Sequence, residues 1–197
     1  PFALSGTGNL NASVSGPIDF WKLTYKTNIN LKNGSLAEQK FDQLNLSLNS
    51  DGKKISFEQA QIKKFNSNLN LTGNINTEGK EPVFDLKFRA QPFLVEDIDY
   101  VIKYAPSISG IAYLDGNISG EVQSPLIQSN FSIKQISYEK VEYPSSQGTF
   151  SIDKNEFNFD GQFFGRQIQS QVKWPWDVNS SYSLNILIND LNVLQLL

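Results

Sequence analysis

Hydrophobic and polar residues alternate along most of the chain. The segment LNLSLN at residues 44–49 is typical, with a leucine at every second position and Asn or Ser between them. A period of two places the apolar side chains of a strand on one face and the polar side chains on the other. Because one face can stay in water, the pattern predicts an all-β chain whose strands form a long antiparallel sheet. The alternation leaves no helical segments to serve as the crossovers of a parallel sheet.

One segment in the middle of the chain departs from this alternation. Between residues 95 and 105 the apolar residues recur at spacings of three and four, which predicts a short amphipathic helix that Pro106 ends. Glu96, Asp97 and Asp99 fall in its first turn, where carboxylates interact favourably with the positive end of the helix dipole. The same carboxylates could form an acid–base cluster, but the start of the helix accounts for all three.

The spacing of glycines indicates an internal repeat. Gly6 and Gly16 lie ten residues apart, and so do Gly110 and Gly120, which follow at an offset of 104 residues. Apolar positions correspond between the two halves at nearly the same offset, so the order of the predicted elements recurs. Repeated units of this kind form quasi-one-dimensional structures that grow by the addition of strands.

The repeat predicts two units within one continuous module. The first unit covers residues 1–105 and ends in the helix at 95–105, and the second covers residues 106–197 and has the same layout. The second unit is truncated inside its own final helix, which is predicted to begin after Asp190. The chain contains no Met, and we expect it to be an internal fragment of a longer protein.

Composition limits the chemistry that this sheet can perform. The chain has no His and no Cys, which excludes Ser-His-Asp triads, thiol nucleophiles and the usual zinc or iron–sulfur ligands. A net charge of −3, from 17 basic and 20 acidic residues, does not favour nucleic acid as a partner. The apolar runs are too short to span a membrane. We therefore expect no enzyme, no cofactor, no metal site and no bound nucleic acid.

Three tryptophans support an alternative that the residues leave open. Trp21, Trp174 and Trp176 could stack against the rings of a sugar. In that case the chain would be a structural, adhesive or carbohydrate-binding β-module with a dry, packed core. Aromatic residues at strand ends also serve in packing, so the tryptophans alone do not decide between these roles.

The chain resembles the AsmA-like superfamily, which includes the TamB-type proteins. The resemblance is carried by LSGTGNLNASVSG at 4–16 and ISGIAYLDGNISG at 108–120. It also rests on FLVEDIDYVIKYAPSISG at 93–110, where a short helix ending in Pro precedes the next glycine-bracketed strand. The resemblance covers the whole chain and consists of a hydropathy and glycine pattern. It implies a strongly curved sheet in the form of a U-shaped gutter, with one or two short amphipathic helices.

The family resemblance also implies a location and a role. The parent protein is expected in the periplasm of a Gram-negative bacterium, held in the inner membrane by an anchor that is absent from this chain. Its expected partners are phospholipid acyl chains, the inner membrane and an outer-membrane protein. Because the family is similar to the bridge-like lipid transfer proteins, the expected function is conduction of phospholipid between the two membranes in outer-membrane biogenesis.

A one-sided apolar sheet has the physical properties that such a role requires. Each CH₂ group removed from water contributes roughly 0.8 kcal/mol, so a long acyl chain would gain roughly ten kcal/mol before ordering costs. The predicted lining of the groove consists of the apolar residues that share one face of each predicted strand. These residues are Leu10, Val14, Leu23, Ile29, Leu44, Leu46, Leu48, Phe57, Leu69, Leu71, Phe84, Leu86, Phe88, Leu114, Ile118, Ile127, Phe131, Ile133, Phe150, Ile152, Phe157, Phe159, Ile168, Val172, Leu184, Ile186 and Ile188.

Overall fold

A computed structural model describes residues 4–36 and 38–189, and strands account for most of them. Thirteen strands form one antiparallel sheet, which confirms the predicted all-β class. The strands are β1 (Leu4–Ser15), β2 (Thr24–Leu36), β3 (Gln39–Asp51), β4 (Lys54–Lys64), β5 (Ser67–Asn76), β6 (Val83–Leu94), β7 (Ile108–Glu121), β8 (Leu126–Tyr138), β9 (Val141–Tyr143), β10 (Ser146–Ile152), β11 (Glu156–Phe163), β12 (Ile168–Pro175) and β13 (Ser183–Ile188).

Almost every strand pairs with the strand that follows it in the sequence. The short β9 pairs only with the end of β8, and β8 then pairs with β10, so twelve strands lie side by side from β1 to β13. Most connections are therefore hairpin loops, which keep consecutive strands adjacent. Because all neighbours are antiparallel, the alternation in the sequence becomes an alternation between the two faces of one sheet.

The pairing register brings most apolar residues of the twelve strands to one side. Directly paired residues of neighbouring strands lie on the same face. One row therefore crosses the entire sheet on the apolar face: Gly8, Leu31, Leu44, Ile62, Leu69, Ala90, Leu114, Phe131, Gly148, Gly161, Ser170 and Ile186. A second row lies two residues further along each strand. It runs from Leu10 and Ile29 at one edge to Val172 and Leu184 at the other.

Bulges keep the apolar residues in phase where the sequence alternation slips. In β4, Phe57 and Ile62 have opposite parity and would point to opposite faces of a regular strand. The register shifts between them, since Leu48 pairs with Phe57 and Ser47 pairs with Gln59. The extra residue, Glu58, is the bulge, and both apolar side chains return to the same face. A bulge also bends its strand and increases the local twist.

The helical segment is shorter than the sequence predicts. Residues Val95–Asp97 form one 3₁₀ turn, Ile98 is extended, and α1 covers only Asp99–Tyr104. The prediction of one continuous helix at 95–105 is therefore wrong at its start. The cause is a set of side-chain contacts to the sheet, described below. The second predicted helix, after residue 190, lies outside the described residues, and no helix among those described is long and apolar enough to cross a membrane.

A cluster of buried side chains lies at one end of strands β2 to β5. Tyr25, Ile55 and Ile75 form a cluster, and Trp21 and Leu23 pack against it. Paired residues place Tyr25 and Ile55 on either side of Ser50, whose small side chain lets the two large ones meet. This cluster fixes one end of the strands, whereas the helical segment lies at the other end.

The two halves of the sheet share the same pairing register. Strands β1 to β6 correspond in order to β7, β8, β10, β11, β12 and β13, and each pair in the first half has a counterpart about 100 residues later. Corresponding pairs are Leu10–Ile29 and Leu114–Phe131, Leu48–Phe57 and Phe150–Phe159, Ile75–Ile55 and Trp174–Phe157, and Leu69–Ala90 and Ile168–Ile188. The division into units at 1–105 and 106–197 remains a prediction, and it agrees with this correspondence.

Polar details recur at the same offsets. The hydroxyl oxygens of Ser5 and Ser35 lie 2.9 Å apart across the first hairpin, and those of Ser109 and Ser137 lie 2.7 Å apart across its counterpart. A bulge lies beside each pair. Repetition of both the bulge and the hydrogen bond shows that the halves share local structure as well as strand order.

The turns between strands recur as well. The Oδ1 atom of Asp51 accepts hydrogen bonds from two backbone N–H groups in the β3–β4 turn, and Asp153 does the same in the β10–β11 turn. In both turns these N–H groups lower the pKa of the carboxyl. Phe65 and Phe164 have positive φ angles of 49° and 53° in the corresponding later turns.

Candidate functional site

The predicted lining residues lie together on the apolar face of the sheet. Twenty-six of them belong to the paired rows on that face, and Leu23 comes directly before β2. The residues 4–36 and 38–189 form one sheet, so no second sheet among them covers the apolar face.

Exposure along this face changes from the middle of the sheet to its edges. Leu44 and Leu86, in inner strands, are 7% and 3% exposed. Leu10 in β1 and Leu184 in β13 are 64% and 59% exposed. Most of the other predicted lining residues are half-buried, which is unusual for so many large apolar side chains in a packed core. A continuous apolar surface that remains accessible is typical of a binding face.

The best-enclosed part of the apolar face is a cavity near the helical segment. Its volume is about 550 Å³, which lies within the range of small-molecule sites. The apolar lining comes from strands β2 to β6 and from the segment after β6: Leu36, Phe41, Ile62, Leu69, Phe93 and Ile98. Gln39, Lys40, Lys64, Ser67 and Asp97 complete the lining. The cavity can therefore hold an apolar chain and offers polar groups, two of them cationic, to a polar end.

Carboxylates hold the helical segment against the sheet. The Oδ2 atom of Asp97 accepts a hydrogen bond of 2.6 Å from the hydroxyl of Ser67 in β5. The same Ser67 hydroxyl oxygen accepts a bond from the backbone N–H of Leu94. Glu96 accepts a hydrogen bond from the backbone N–H of Gly110 in β7. These contacts use the first carboxylates of the segment as ties to two strands, and the segment begins as one 3₁₀ turn instead of an α-helix.

Asp99 makes the third tie, to strands β3 and β4. Its Oδ1 atom lies 2.6 Å from Nζ of Lys64, and its Oδ2 atom accepts a hydrogen bond of 2.8 Å from the backbone N–H of Lys40. The hydrogen bond from Lys64 holds the pKa of Asp99 below its usual value, and the Lys40 N–H adds to the effect. The three carboxylates are thus structural ties across four strands, which also explains why the acid–base alternative finds no support in their geometry.

A larger and more polar cavity lies on the opposite face of the second half. It has a volume of about 840 Å³ and is lined mainly by Asn, Gln, Ser and Asp side chains of β7 to β13. Its charged groups already have partners. Asp115 pairs with Arg89 at 2.6 Å, and Lys173 pairs with Glu156 at 2.9 Å. A ligand on this face would compete with these contacts and with water, and it would bury little apolar surface.

The three tryptophans make different contacts. Trp21 packs against the buried cluster at the start of β2, and its ring centroid lies 5.2 Å from that of Phe20. Trp174 stacks on Tyr182, with 5.5 Å between centroids. The indole N–H of Trp176 donates to the backbone oxygen of residue 153. Each tryptophan therefore has a local packing or hydrogen-bonding role.

Sequence reasoning did not identify several residues of the apolar cavity. Ile62 and Phe93 were missed because each lies beyond a bulge, where the parity of the sequence changes. Pro92 was a usable signal for the second bulge, since proline inside a strand marks an edge or a bulge. Lys64 and Lys40 carried no signal, because their partner Asp99 comes from a distant segment.

No protein-family model, no curated protein and no solved structure matches the chain.

Proposed function

We propose that this chain is a segment of a periplasmic, AsmA-like protein that conducts phospholipid between the membranes of a Gram-negative bacterium. The observation that carries the proposal is the apolar face, whose rows cross all twelve strands while remaining partly exposed and consist mainly of Leu, Ile, Val and Phe, with Gly, Ala and Ser at some positions. In this proposal the sheet curls around that face into a U-shaped gutter. The bulges in five strand pairs provide places where the strands can bend.

An uninterrupted apolar face suits movement of a ligand better than a single deep pocket does. Twelve strands at about 4.8 Å spacing extend over roughly 55 Å along the sheet. Acyl chains gain free energy from burial at any point on such a surface, because burial is non-directional and scales with apolar area. A lipid can therefore shift from one strand to the next without a large change in free energy.

The parent protein has an inner-membrane anchor and an outer-membrane partner, and the segment acts by binding and conduction, without catalysis. The cavity under the helical segment is the most enclosed station on the route. Lys40 at its lining can attract an anionic headgroup, whereas the ammonium group of Lys64 is paired with Asp99.

Co-purified lipid is the first test of this function. The purified full chain is extracted with organic solvent, and phospholipid is sought by mass spectrometry. We expect phospholipid in a fixed ratio to protein. The delipidated chain should then take up phosphatidylethanolamine with a fluorescent acyl chain from vesicles.

Two neighbouring substitutions separate the apolar face from general effects of charge. Leu69→Asp places a carboxylate on the apolar face beside the cavity, and we expect lipid uptake to fall about tenfold because a charge is costly in an apolar site. Asn70→Asp adds the same charge to the opposite face and should leave uptake unchanged. Circular dichroism checks that both variants remain folded. Absence of bound lipid, or equal uptake by both variants, would contradict the proposal.

The polar cavity supports a second candidate, a carbohydrate-binding module. Its amide and carboxylate lining offers donors and acceptors that could bind hydroxyl groups. A screen of the full chain against immobilised glycans tests it, with Asn130→Ala as the variant expected to weaken binding. Glycan binding that survives Leu69→Asp, without any lipid uptake, would favour this function over lipid conduction.

A further inference from the structure

The helical segment forms one wall of the apolar cavity beside it. Asp97 and Ile98 of this segment belong to the cavity lining. Ser67 holds the segment there, because its hydroxyl donates to Asp97 and accepts from the backbone N–H of Leu94. Asp99 adds bonds to two further strands. Since these ties fix the position of the segment, the cavity has a defined size, unlike the open rows of the sheet.

The interior of this cavity suits a hydrocarbon chain. Six large apolar side chains line it, and one of them, Phe41, is only 3% exposed. The buried polar residues of the lining, Ser67 and Asp97, are hydrogen-bonded to each other. A cavity with apolar walls, whose buried polar groups already have partners, favours an apolar ligand over water.

The volume of the cavity matches one long acyl chain. It measures about 550 Å³. A methylene group takes up about as much space as a water molecule does in the liquid, about 30 Å³. The cavity therefore has room for roughly 18 such groups. A phospholipid carries two acyl chains, so at most one of them fits, whereas a single-chain lipid fits completely.

An unpaired ammonium group lies at the polar part of the lining. Lys40 and Lys64 both belong to it. Nζ of Lys64 is paired with Asp99 at 2.6 Å, whereas the side chain of Lys40 makes no ion pair or hydrogen bond within residues 4–36 and 38–189. The second oxygen of Asp99 is bonded to the backbone N–H of Lys40. The Lys40 ammonium group is therefore available to an anionic end of a ligand.

We propose that this cavity binds one long-chain fatty acid, with its hydrocarbon chain among the apolar side chains and its carboxylate at the ammonium group of Lys40. A carboxylate is the smallest anionic end that an acyl chain can carry, and it places no further groups against the bonded carboxylates Asp97 and Asp99. The proposal rests on the function proposed above only in that the apolar face binds lipid. It adds the class of lipid that the cavity holds.

A series of saturated fatty acids tests the size of the site. The delipidated full chain is loaded with a fluorescent fatty acid, which the unlabelled acids then displace. We expect one fatty acid per protein chain and an affinity that rises about fourfold with each added CH₂ group. The rise should stop at roughly 18 carbons, when the cavity is full. A rise that continues through longer chains would place the ligand on the open rows of the sheet and overturn the proposal.

A comparison of palmitic acid with 1-hexadecanol, the neutral alcohol of the same chain length, tests the carboxylate. Lys40→Met removes the charge and keeps the backbone N–H that bonds to Asp99. We expect this variant to bind palmitate about tenfold more weakly and hexadecanol as well as the natural chain does. Lys32→Met is the matched control, because Lys32 is exposed on the opposite face from Leu31. It should leave the affinity for both ligands unchanged.

Two results with these variants would overturn the proposal. The first is palmitate affinity that Lys40→Met leaves unchanged or lowers no more than Lys32→Met does. The second is an equal loss of palmitate and hexadecanol in Lys40→Met. Circular dichroism checks that both variants are folded. If either is not, the natural chain still decides the question, because its affinity for palmitate must exceed that for hexadecanol.

Phospholipid uptake from vesicles separates this site from lipid conduction. A chain that takes up phospholipid but binds palmitate and hexadecanol equally would retain the conduction function and lose the fatty-acid site. A chain that binds palmitate through Lys40 but takes up no phospholipid would retain the fatty-acid site and lose conduction. Phosphatidylethanolamine that displaces palmitate at equal concentration would assign the cavity to a phospholipid chain and overturn the proposal.

Discussion

At the scale of single residues, acidic side chains hold the helical segment against the sheet. Asp97 is buried and bonded to Ser67, which is itself almost fully buried. Asp99 bonds to the Lys64 ammonium group and to the Lys40 N–H. Hydrogen bonds with a charged partner are worth about 1.5–3 kcal/mol each when water is largely excluded. These few contacts therefore decide where the chain crosses the apolar cavity.

Replacement of Asp99 should weaken this tie in a pH-dependent manner. The folded protein lowers the pKa of Asp99, chiefly through the Lys64 hydrogen bond, so its ionised form stabilises the fold. This contribution is complete above the unfolded pKa of about 3.9 and is lost as pH falls through the lower, folded value. We expect Asp99→Asn to reduce the free energy of unfolding by about 1 kcal/mol at pH 7, because the pair is partly exposed.

Urea unfolding at pH 7 and at pH 2.5 measures this effect. The difference between the natural chain and Asp99→Asn should be smaller at pH 2.5 than at pH 7, because the contribution of the ionised carboxylate is lost as the pH falls below the unfolded pKa of about 3.9. Asp85→Asn is the control, because Asp85 is an exposed carboxylate on the polar side of β6. A difference that stays constant with pH would show that the contacts do not depend on the charge of Asp99.

At the scale of elements, periodicity predicted the strands well and their irregularities poorly. Alternation identified an antiparallel sheet and the face on which the apolar residues lie, because these depend on local pattern. It could not locate the bulge at Glu58, since a bulge changes parity only in relation to a partner strand. It also predicted too long a helix at 95–105, because Asp97 and Asp99 are tied to strand residues that lie 30 and 59 residues earlier in the sequence. Long-range contacts of this kind override local helix preference.

Close approach of backbones in the sheet makes one glycine in β5 irreplaceable. Gly73 has a φ of +116°, and a Cβ atom there would overlap the carbonyl oxygen of Asp85 in β6. We expect Gly73→Ala to lower the free energy of unfolding by about 2–3 kcal/mol, through strain and displacement of β6. Gly79→Ala is the control, since the nearest atom to a Cβ there is 3.4 Å away. Thermal unfolding of both variants checks this, and equal melting temperatures would contradict it.

At the scale of the whole molecule, the repeat and the single sheet have the same origin. Each half presents one apolar face that it cannot bury alone, and the two halves join mainly through one strand pair, β6–β7. Different side chains occupy equivalent paired positions in the two halves. Where the first half has Leu46 and Ala60, the second has Gly148 and Gly161. In the second half the rings of Phe131, Phe159 and Phe163 occupy the space that these glycines leave.

A sheet in which the two halves meet mainly at one strand pair should not unfold as a single unit, because stability in such structures is a sum of local and nearest-neighbour terms. Phe159 stacks against Phe131 and Phe163 in the second half, with ring centroids 5.6 and 6.0 Å apart. We expect Phe159→Ala to lower the stability of β10–β12 by about 2 kcal/mol. Amide protection in β3 and β4 should hardly change. Hydrogen exchange followed by mass spectrometry resolves these strands.

A substitution in the first half of the sheet provides the reciprocal test. Ile55 is 2% exposed and packs with Tyr25 and Ile75 in the first half, so Ile55→Ala should lower protection in β3–β5 and spare β10–β12. If either substitution lowered protection equally in both halves, the sheet would be one cooperative unit and the nearest-neighbour description would be wrong. If each effect stays in its own half, the β6–β7 pairing transmits little free energy. A junction of that kind can be repeated along a sheet without making the folding of one unit depend on the next.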